Sequence, residues 1–131
     1  TSVAIEDNGV AIFGDSGSGK SDLALRLIDS GATLISDDIT VFSKSENNIH
    51  LFGVENTKGL LEVRELGIIT VPYIEGIRLK LVIKLTDKEI ERIPKKNQTN
   101  LLGLKFPKLE INGKNSSSVV KVKVKLNEIN E

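Results

Sequence analysis

An apolar segment, residues 10–13, runs directly into the glycine-rich sequence GDSGSGKS of residues 14–21. The loop matches the complete phosphate-loop pattern G-x-x-x-x-G-K-[S/T] at Gly14, Gly19, Lys20 and Ser21. In such a loop, small residues let backbone N–H groups surround a chain of phosphates, and the following helix points its positive end at the same charge. A plain Gly/Ser-rich connection is the alternative, but a strand before the loop and a helix after it favour a phosphate site.

Every residue of this loop is a candidate for nucleotide binding. The set comprises Gly14, Asp15, Ser16, Gly17, Ser18, Gly19, Lys20 and Ser21. We expect the Lys20 ammonium to reach the β- and γ-phosphates, and the Ser21 hydroxyl to be a ligand for Mg²⁺. The expected cofactors are therefore ATP and Mg²⁺.

A pair of aspartates follows the next apolar segment, residues 33–36. An acidic residue at the end of a strand is the usual second half of a phosphate-loop site, where it holds Mg²⁺ directly or through water. Neighbouring strand residues point to opposite faces, so Asp37 and Asp38 are expected to do different work. One carboxylate would bind the metal, and the other would accept the proton of the group that receives the phosphate. A turn or helix-cap pair is the structural alternative.

Hairpins are predicted on both sides of the loop. Residues 3–5 and 10–13 flank a turn at Asn8-Gly9, and residues 40–43 and 49–54 flank a polar turn. Between them, residues 21–30 have helical periodicity, and Gly31 is placed to end that helix. Such a chain is α/β, with much antiparallel pairing.

The second half of the chain is predicted to be mainly β. Residues 66–71 are apolar and rich in β-branched side chains, and residues 79–85 and 120–126 alternate apolar and polar positions. The alternating segments predict two half-buried strands whose lysines face solvent and discourage edge pairing. Residues 95–100 and 112–118 are predicted to be polar loops.

Charge and composition exclude several classes of function. The 131 residues fit a single domain, 1–131, and its 18 basic and 18 acidic side chains cancel. A balanced chain gives no reason to expect a nucleic-acid or membrane partner. The absence of cysteine fits a reducing cytoplasm, where we expect the protein to reside. Because residue 1 is Thr rather than Met, we expect that residues upstream are missing from this sequence.

Three stretches together resemble one protein family. They are GDSGSGKSDLALRLIDSGATLISDD (14–38), LLEVRELGIITV (60–71) and LLGLKFPKLEI (101–111). They are similar to the catalytic domain of HPr kinase/phosphorylase, and the length resembles the short alphaproteobacterial form. The resemblance implies a phosphate-loop kinase fold with a mixed, largely antiparallel sheet, akin to phosphoenolpyruvate carboxykinase. It also implies transfer of the γ-phosphoryl group of ATP to a serine of HPr, a small phosphocarrier protein of the phosphotransferase system.

The resemblance also implies roles for individual residues. Lys20 and Asp38 would be catalytic, with Asp38 as the general base, and Ser21, Asp37 and Glu62 would hold Mg²⁺. Arg92 would neutralise charge that develops during transfer. An exposed loop arginine is an equal alternative for Arg92. A surface Glu–Arg pair is the alternative for Glu62, with Arg64 as its partner in either case.

The sequence departs from the family pattern at two places. The family usually has Gly at the position of Glu65, so the local backbone is expected to differ. Longer members carry an Arg/Gly-rich stretch, associated with dephosphorylation, where this chain reads NGKNSSS at residues 112–118. We therefore expect kinase activity without phosphorylase activity. Long members form hexamers, which leaves homo-oligomer formation open here.

Two other functions are compatible with the glycine loop. A different phosphate-loop small-molecule kinase or NTPase would keep residues 14–21 but would not need Glu62 in its LEVREL setting. A nucleotide-binding regulator that no longer catalyses would be expected to have lost some of the acidic residues or Lys20. This chain retains the whole set, which favours the protein kinase. The set comprises Lys20, Ser21, Asp37, Asp38 and Glu62.

Overall fold

The computed structural model describes residues 1–131 and contains ten strands, two helices and one short 3-10 helix. The elements in chain order are β1 (Ser2–Ile5), β2 (Asn8–Phe13), α1 (Lys20–Asp29), β3 (Thr33–Ser36), β4 (Val41–Ser45), β5 (Asn48–Phe52), the 3-10 helix (Glu55–Thr57), β6 (Leu60–Val63), β7 (Gly67–Thr70), β8 (Ile77–Leu85), β9 (Gln98–Leu101), β10 (Leu104–Ile111) and α2 (Ser118–Ile129). No helix has the length and apolar character needed to cross a lipid bilayer.

The main sheet has eight strands and is mixed. Six of them lie in the order β3-β1-β2-β8-β10-β9, and the β4–β5 hairpin joins through β5 to β8. The pairs β2–β8 and β8–β10 are parallel, whereas all other pairs in the sheet are antiparallel. Strands β6 and β7 form a separate antiparallel pair. The predicted α/β fold with a mixed, largely antiparallel sheet is therefore confirmed.

The strand directions bring the predicted site to one edge of the sheet. Because β1 is antiparallel to both β2 and β3, those two strands run the same way, and β8 and β10 run parallel to β2. The carboxyl ends of four strands therefore share an edge. From this edge leave the glycine loop, the aspartate pair, the segment 86–97 and the loop 112–117.

The sheet has a different covering on each face. One face, here called the helix face, packs against α1 and α2 through buried residues that include Ile12, Leu23, Leu27, Ile83 and Val122. The other, here called the hairpin face, packs against the β4–β5 hairpin through a second buried cluster: Ala4, Ala11, Ile35, Ile49, Leu51, Leu79, Val82 and Phe106. Strand alternation accounts for the division, since successive residues of β2 and β8 point to opposite faces.

Both predicted hairpins are present, but the first turn lies earlier than predicted. Ile5 pairs with Asn8, so Glu6 and Asp7 form the turn and Glu6 takes the left-handed conformation with φ 55°. Gly9 instead lies inside β2, where a side-chain carbon would lie 2.7 Å from the carbonyl oxygen of Arg78. This glycine therefore serves close packing of β2 against β8 rather than the turn.

The predicted strand over residues 120–126 is wrong, because this segment is part of helix α2. Ser118, Val122 and Leu126 are buried at intervals of four, whereas Val120 and Val124 are 61% and 58% exposed. An interval of four fits a helical stripe as well as a two-residue alternation. Packing of α2 against α1 and β10 decides in favour of the helix.

Two further predictions need correction. Strand β8 was expected to need protection from edge pairing, but it is central and pairs with β2, β5 and β10. The polar segment 95–100 is only partly a loop, because Gln98–Leu101 is strand β9 at the edge of the sheet. In both cases, pairing partners that are distant in the sequence decide the outcome.

Candidate active site

The glycine loop lies between β2 and α1, as its pattern requires. Gly17 and Gly19 have φ of 81° and 98°, values that favour glycine over residues with a side chain. A side-chain carbon at Gly14 would lie 3.2 Å from Leu85 Cβ and would collide with the hydroxyl of Ser18. The loop therefore depends on glycine both for its backbone conformation and for the space at its start.

Lys20 is the first residue of α1, and its side chain folds back over the loop. The Nζ atom donates hydrogen bonds to the carbonyl oxygens of Gly14 at 2.7 Å and of Asp15 at 3.2 Å. These contacts hold a positive charge at the centre of the loop, beside the helix N-terminus. Both features favour the binding of an anion there.

Asp37 is fixed by contacts from three parts of the chain. Its Oδ1 accepts a hydrogen bond of 2.7 Å from the Ser21 hydroxyl, and its Oδ2 accepts one of 2.9 Å from the backbone N–H of Glu62. The Thr1 hydroxyl donates to the backbone carbonyl of Asp37 at 2.8 Å. The end of β3, the start of α1 and strand β6 therefore meet at one carboxylate, which lies beside the hydroxyl expected to bind metal.

Asp38 faces different surroundings from those of its neighbour. It is exposed and lines a cleft of about 230 Å³ together with Lys20. The remaining lining residues are Thr1, Ala11, Ile12, Phe13, Gly14, Thr40 and Phe42. Both aspartates lie in the bend that follows β3, and only Asp38 lines the cleft, so the two carboxylates have different surroundings.

Glu62 lies near the aspartate pair but does not form the expected pair with arginine. It is on β6, between the buried residues Leu61 and Val63, and its side chain is exposed. Arg64 lies in the following turn, and its side chain makes neither a hydrogen bond nor an ion pair. Glu65 has φ 75°, so the chain keeps a conformation that favours glycine despite the departure at this position.

Arg92 is not brought into the site. It lies on the exposed segment between β8 and β9, and its side chain makes no ion pair with either aspartate. It is also absent from the lining of the cleft beside Lys20. This segment leaves the same edge of the sheet as the glycine loop, and the role of Arg92 stays a prediction.

Two aromatic residues in the cleft were not singled out in the sequence. Phe13, the last residue of β2, is 40% exposed, and its ring meets the edge of Phe42 with centroids 6.1 Å apart and planes at 65°. Such an edge-to-face contact is a favourable aromatic geometry. The chain has only four phenylalanines and one tyrosine. The position of one of these few aromatic residues directly before the glycine loop could have indicated a residue of the site.

The sequence analysis also did not single out Arg26, which links α1 to the loop 112–117. Its Nε pairs with Asp22 at 3.0 Å, one helical turn earlier. Its two terminal nitrogens donate to the carbonyl oxygens of Gly113 and of Asn115, the latter at 3.2 Å. Arg26 thereby ties the helix of the glycine loop to the segment that reads NGKNSSS.

Comparison with known proteins gives a consistent result. The profile of the HPr Serine kinase C-terminal domain matches residues 1–131. An HPr kinase/phosphorylase of Mycoplasmopsis pulmonis is 36% identical over 124 residues, which cover 85% of this chain and 40% of that protein. An HPr kinase/phosphorylase of Bordetella avium is 36% identical over 133 residues, which cover 89% of this chain and 43% of that protein. The chain thus spans about two fifths of the length of these relatives.

A solved structure shares the fold. The HPr(Ser) kinase/phosphatase from Coxiella burnetii superposes with a TM-score of 0.83 at 24% sequence identity, covering 98% of this chain and 93% of that one. The match supports the fold described above. The profile match over the whole chain and the identity to the curated relatives show that the chain belongs to the HPr serine kinase C-terminal domain family.

Proposed function

We propose that the chain is the single catalytic domain of an ATP-dependent protein serine kinase that acts on HPr, a phosphocarrier protein. The observation that carries the proposal is the different surroundings of the two aspartates that follow β3. Asp37 is bound to Ser21 on the metal side, and Asp38 opens beside Lys20 into the cleft. The names of the curated relatives, HPr kinase/phosphorylase, support HPr as the acceptor.

The residues of the glycine loop suit the phosphates of ATP. Lys20 Nζ donates hydrogen bonds to the carbonyl oxygens of Gly14 and Asp15. We expect ATP to replace these contacts with its β- and γ-phosphate oxygens, which are stronger partners for an ammonium group. Lys20 would then stabilise the charge that develops as the γ-phosphoryl group transfers.

The oxygen donors beside the loop suit Mg²⁺. Ser21 supplies a hydroxyl and Asp37 a carboxylate, which lie 2.7 Å apart, and Glu62 lies next to them through its backbone contact with Asp37. No group of three or more His, Cys, Asp or Glu side chains could hold a metal. Mg²⁺ typically takes one or two carboxylates and completes its shell with water and substrate phosphates, which fits this sparse donor set. When bound, Mg²⁺ neutralises phosphate charge.

Asp38 is the proposed general base. The acceptor serine oxygen forms a bond to the γ-phosphorus as the bond from that phosphorus to the bridging oxygen of ADP breaks, and the serine proton passes to the Asp38 carboxylate. The proposal is supported by the cleft, which both the Asp38 carboxylate and Lys20 line. The two groups can therefore act on the nucleophile and on the transferred group at the same time.

We further propose that the chain lacks phosphorylase activity. The loop 112–117 contributes one lysine, Lys114, and no arginine, and it is anchored to α1 by Arg26. Such a loop offers little positive charge to attract a second, attacking phosphate.

The test is phosphoryl transfer from labelled ATP to purified HPr in the presence of Mg²⁺, beside an HPr whose target serine is alanine. We expect label on the unmodified carrier alone. Label on neither carrier, with ATP still bound, would contradict the choice of acceptor. Release of phosphate without a labelled carrier would favour an NTPase, and label on a small metabolite would favour a small-molecule kinase.

A further inference from the structure

The two aspartates fix the side from which an acceptor must approach. Asp37 is occupied by Ser21 of α1 and by the backbone of Glu62. Asp38 instead lines the cleft with Phe13 and Phe42, which belong to the hairpin face. An acceptor hydroxyl that reaches Asp38 therefore approaches over the hairpin face.

This face is covered only in part. The β4–β5 hairpin meets β8 near its amino end, where His50 pairs with Arg78 and Leu51 with Ile77. Toward the carboxyl ends of the strands the face is open and contains a second cleft of about 280 Å³. Its lining residues are Phe13, Val82, Lys84, Thr99, Leu101 and Lys108.

Phe13 joins the two clefts into one groove. Phe13 lines both of them, and the residue is 40% exposed although its ring packs against Phe42. Its backbone pairs with Lys84 on the neighbouring strand, and neighbouring strands lie about 5 Å apart. The second cleft therefore begins about one strand spacing from Phe13, which together with Phe42 lines the Asp38 cleft.

The second cleft has an apolar floor and a basic rim. Val82 and Leu101 supply apolar surface, and Lys84 and Lys108 supply two positive charges. Glu110 pairs with Lys108 at 3.1 Å and offsets one of the charges. The rim keeps a net positive charge in a chain that is neutral as a whole, which favours an acidic partner.

We propose that this groove is the docking surface for the acceptor protein, and that it recognises an acidic side chain near the residue that carries the phosphorylated hydroxyl. The acceptor segment would lay its hydroxyl between Lys20 and Asp38, an apolar side chain on Phe13, and a carboxylate between Lys84 and Lys108. This inference rests on the proposed protein kinase activity, since a protein acceptor is large enough to contact both clefts.

The test uses the Lys84→Gln/Lys108→Gln double variant with HPr as acceptor. Glutamine removes both charges without placing a carboxylate beside Glu110. We expect the KM for HPr to rise about tenfold, with kcat and the dissociation constant for ATP changed less than about twofold, because rim charges act mainly on encounter and binding. The dependence of kcat/KM on salt should become shallower than in the wild type, since screening has fewer charges to act on.

A matched control is the Lys105→Gln/Lys121→Gln variant. Lys105 is exposed on β10 at a position that alternates to the opposite face from Lys108, and Lys121 is exposed on α2. The control removes the same charge from the helix side, so its KM and salt dependence should match those of the wild type. The Lys84→Arg/Lys108→Arg variant keeps the charge and should restore a near-normal KM.

Each of the other outcomes would contradict the docking surface, and each would do so through a different measured quantity. Wild-type KM in the glutamine variant would overturn the docking surface while leaving the kinase function intact. Equal losses in the control variant would mean that only overall charge matters. A comparable loss of ATP affinity would assign the second cleft to the nucleotide instead. A wild-type protein that neither binds nor phosphorylates HPr would overturn both the docking surface and the proposed function.

Discussion

Two neighbouring residues, Asp37 and Asp38, divide the proposed site into a metal side and an acceptor side. Adjacent residues at a strand end point in opposite directions, and here one carboxylate is satisfied by a hydroxyl and a backbone N–H while the next opens into a cleft. The sequence predicted that Asp37 and Asp38 would differ in role. The contacts with Ser21 and Glu62 support the metal side for Asp37.

Replacing Asp38 with Asn tests the general base. The amide keeps the shape of the side chain but cannot accept the serine proton, so we expect phosphoryl transfer to fall by about 10²–10⁴-fold. ATP affinity should change little, because Asp38 has no hydrogen bond to the glycine loop. Single-turnover transfer and equilibrium ATP binding measure the two effects separately. Unchanged transfer would remove Asp38 from this role.

The backbone at single residues was less predictable than the side chains. The Asn8-Gly9 pair has the composition of a hairpin turn, yet the turn forms at Glu6 and Asp7. Close approach of the Arg78 carbonyl requires glycine at position 9. A contact across 69 residues of sequence therefore outweighs a local turn preference, and no local pattern reports it.

At the scale of elements, α2 shows the limit of periodicity. Its VKVKVKL sequence alternates as a strand does, but the buried positions are spaced by four and pack against α1 and β10. Two-residue and helical periods coincide at this spacing. Only the presence of a helix-covered sheet face shows which period applies.

Two valine substitutions test whether residues 118–129 are helical in solution. Val122→Ala removes a fully buried side chain from the helix-face core and should lower the free energy of unfolding by about 2 kcal/mol. Val124→Ala removes an exposed side chain and should change it by less than about 0.5 kcal/mol. Urea denaturation provides the comparison. Equal losses would contradict the helix, because a half-buried strand would place both valines on one face.

At the scale of the whole molecule, parallel and antiparallel pairings combine to build the site. Strands β2, β3, β8 and β10 end at the same edge although β1 lies between β3 and β2. The loops that leave this edge come from residues 14–19, 37–40, 86–97 and 112–117. The sheet therefore gathers parts of the chain that are nearly 100 residues apart.

Stability should depend on pH through two surface ion pairs. The Lys58 ammonium holds the pKa of Glu55 below its usual value, and the Lys108 ammonium does the same for Glu110. A lowered folded-state pKa gives stability that is present above the ordinary glutamate pKa of roughly 4.3 and is lost as pH falls through the lowered value. The pKa of Lys58 is itself raised, first by its hydrogen bond to Glu55 and next by its hydrogen bond to Glu75, so Lys58 stays charged throughout the acid range.

The measurement is the urea midpoint at neutral pH and near pH 3, for the wild type and for a Glu55→Gln/Glu110→Gln variant. We expect the variant to be slightly less stable at neutral pH, because both pairs are solvent-exposed and contribute little. The difference should vanish near pH 3, where the wild-type carboxylates are protonated. A difference that persists at acid pH would mean that packing rather than charge is responsible.

The phosphate loop, the aspartate pair, both hairpins and the α1 helix could be predicted from the sequence, because each depends on contacts between residues close in the chain. Contacts between distant parts of the chain determine the helical state of α2, the central position of β8 and the groove that joins Phe13 to Lys84 and Lys108. These features depend on which distant strands pair and which sheet face remains uncovered. The free energy that stabilises these features comes from packing and pairing across the whole fold, so no local stretch of sequence can specify them.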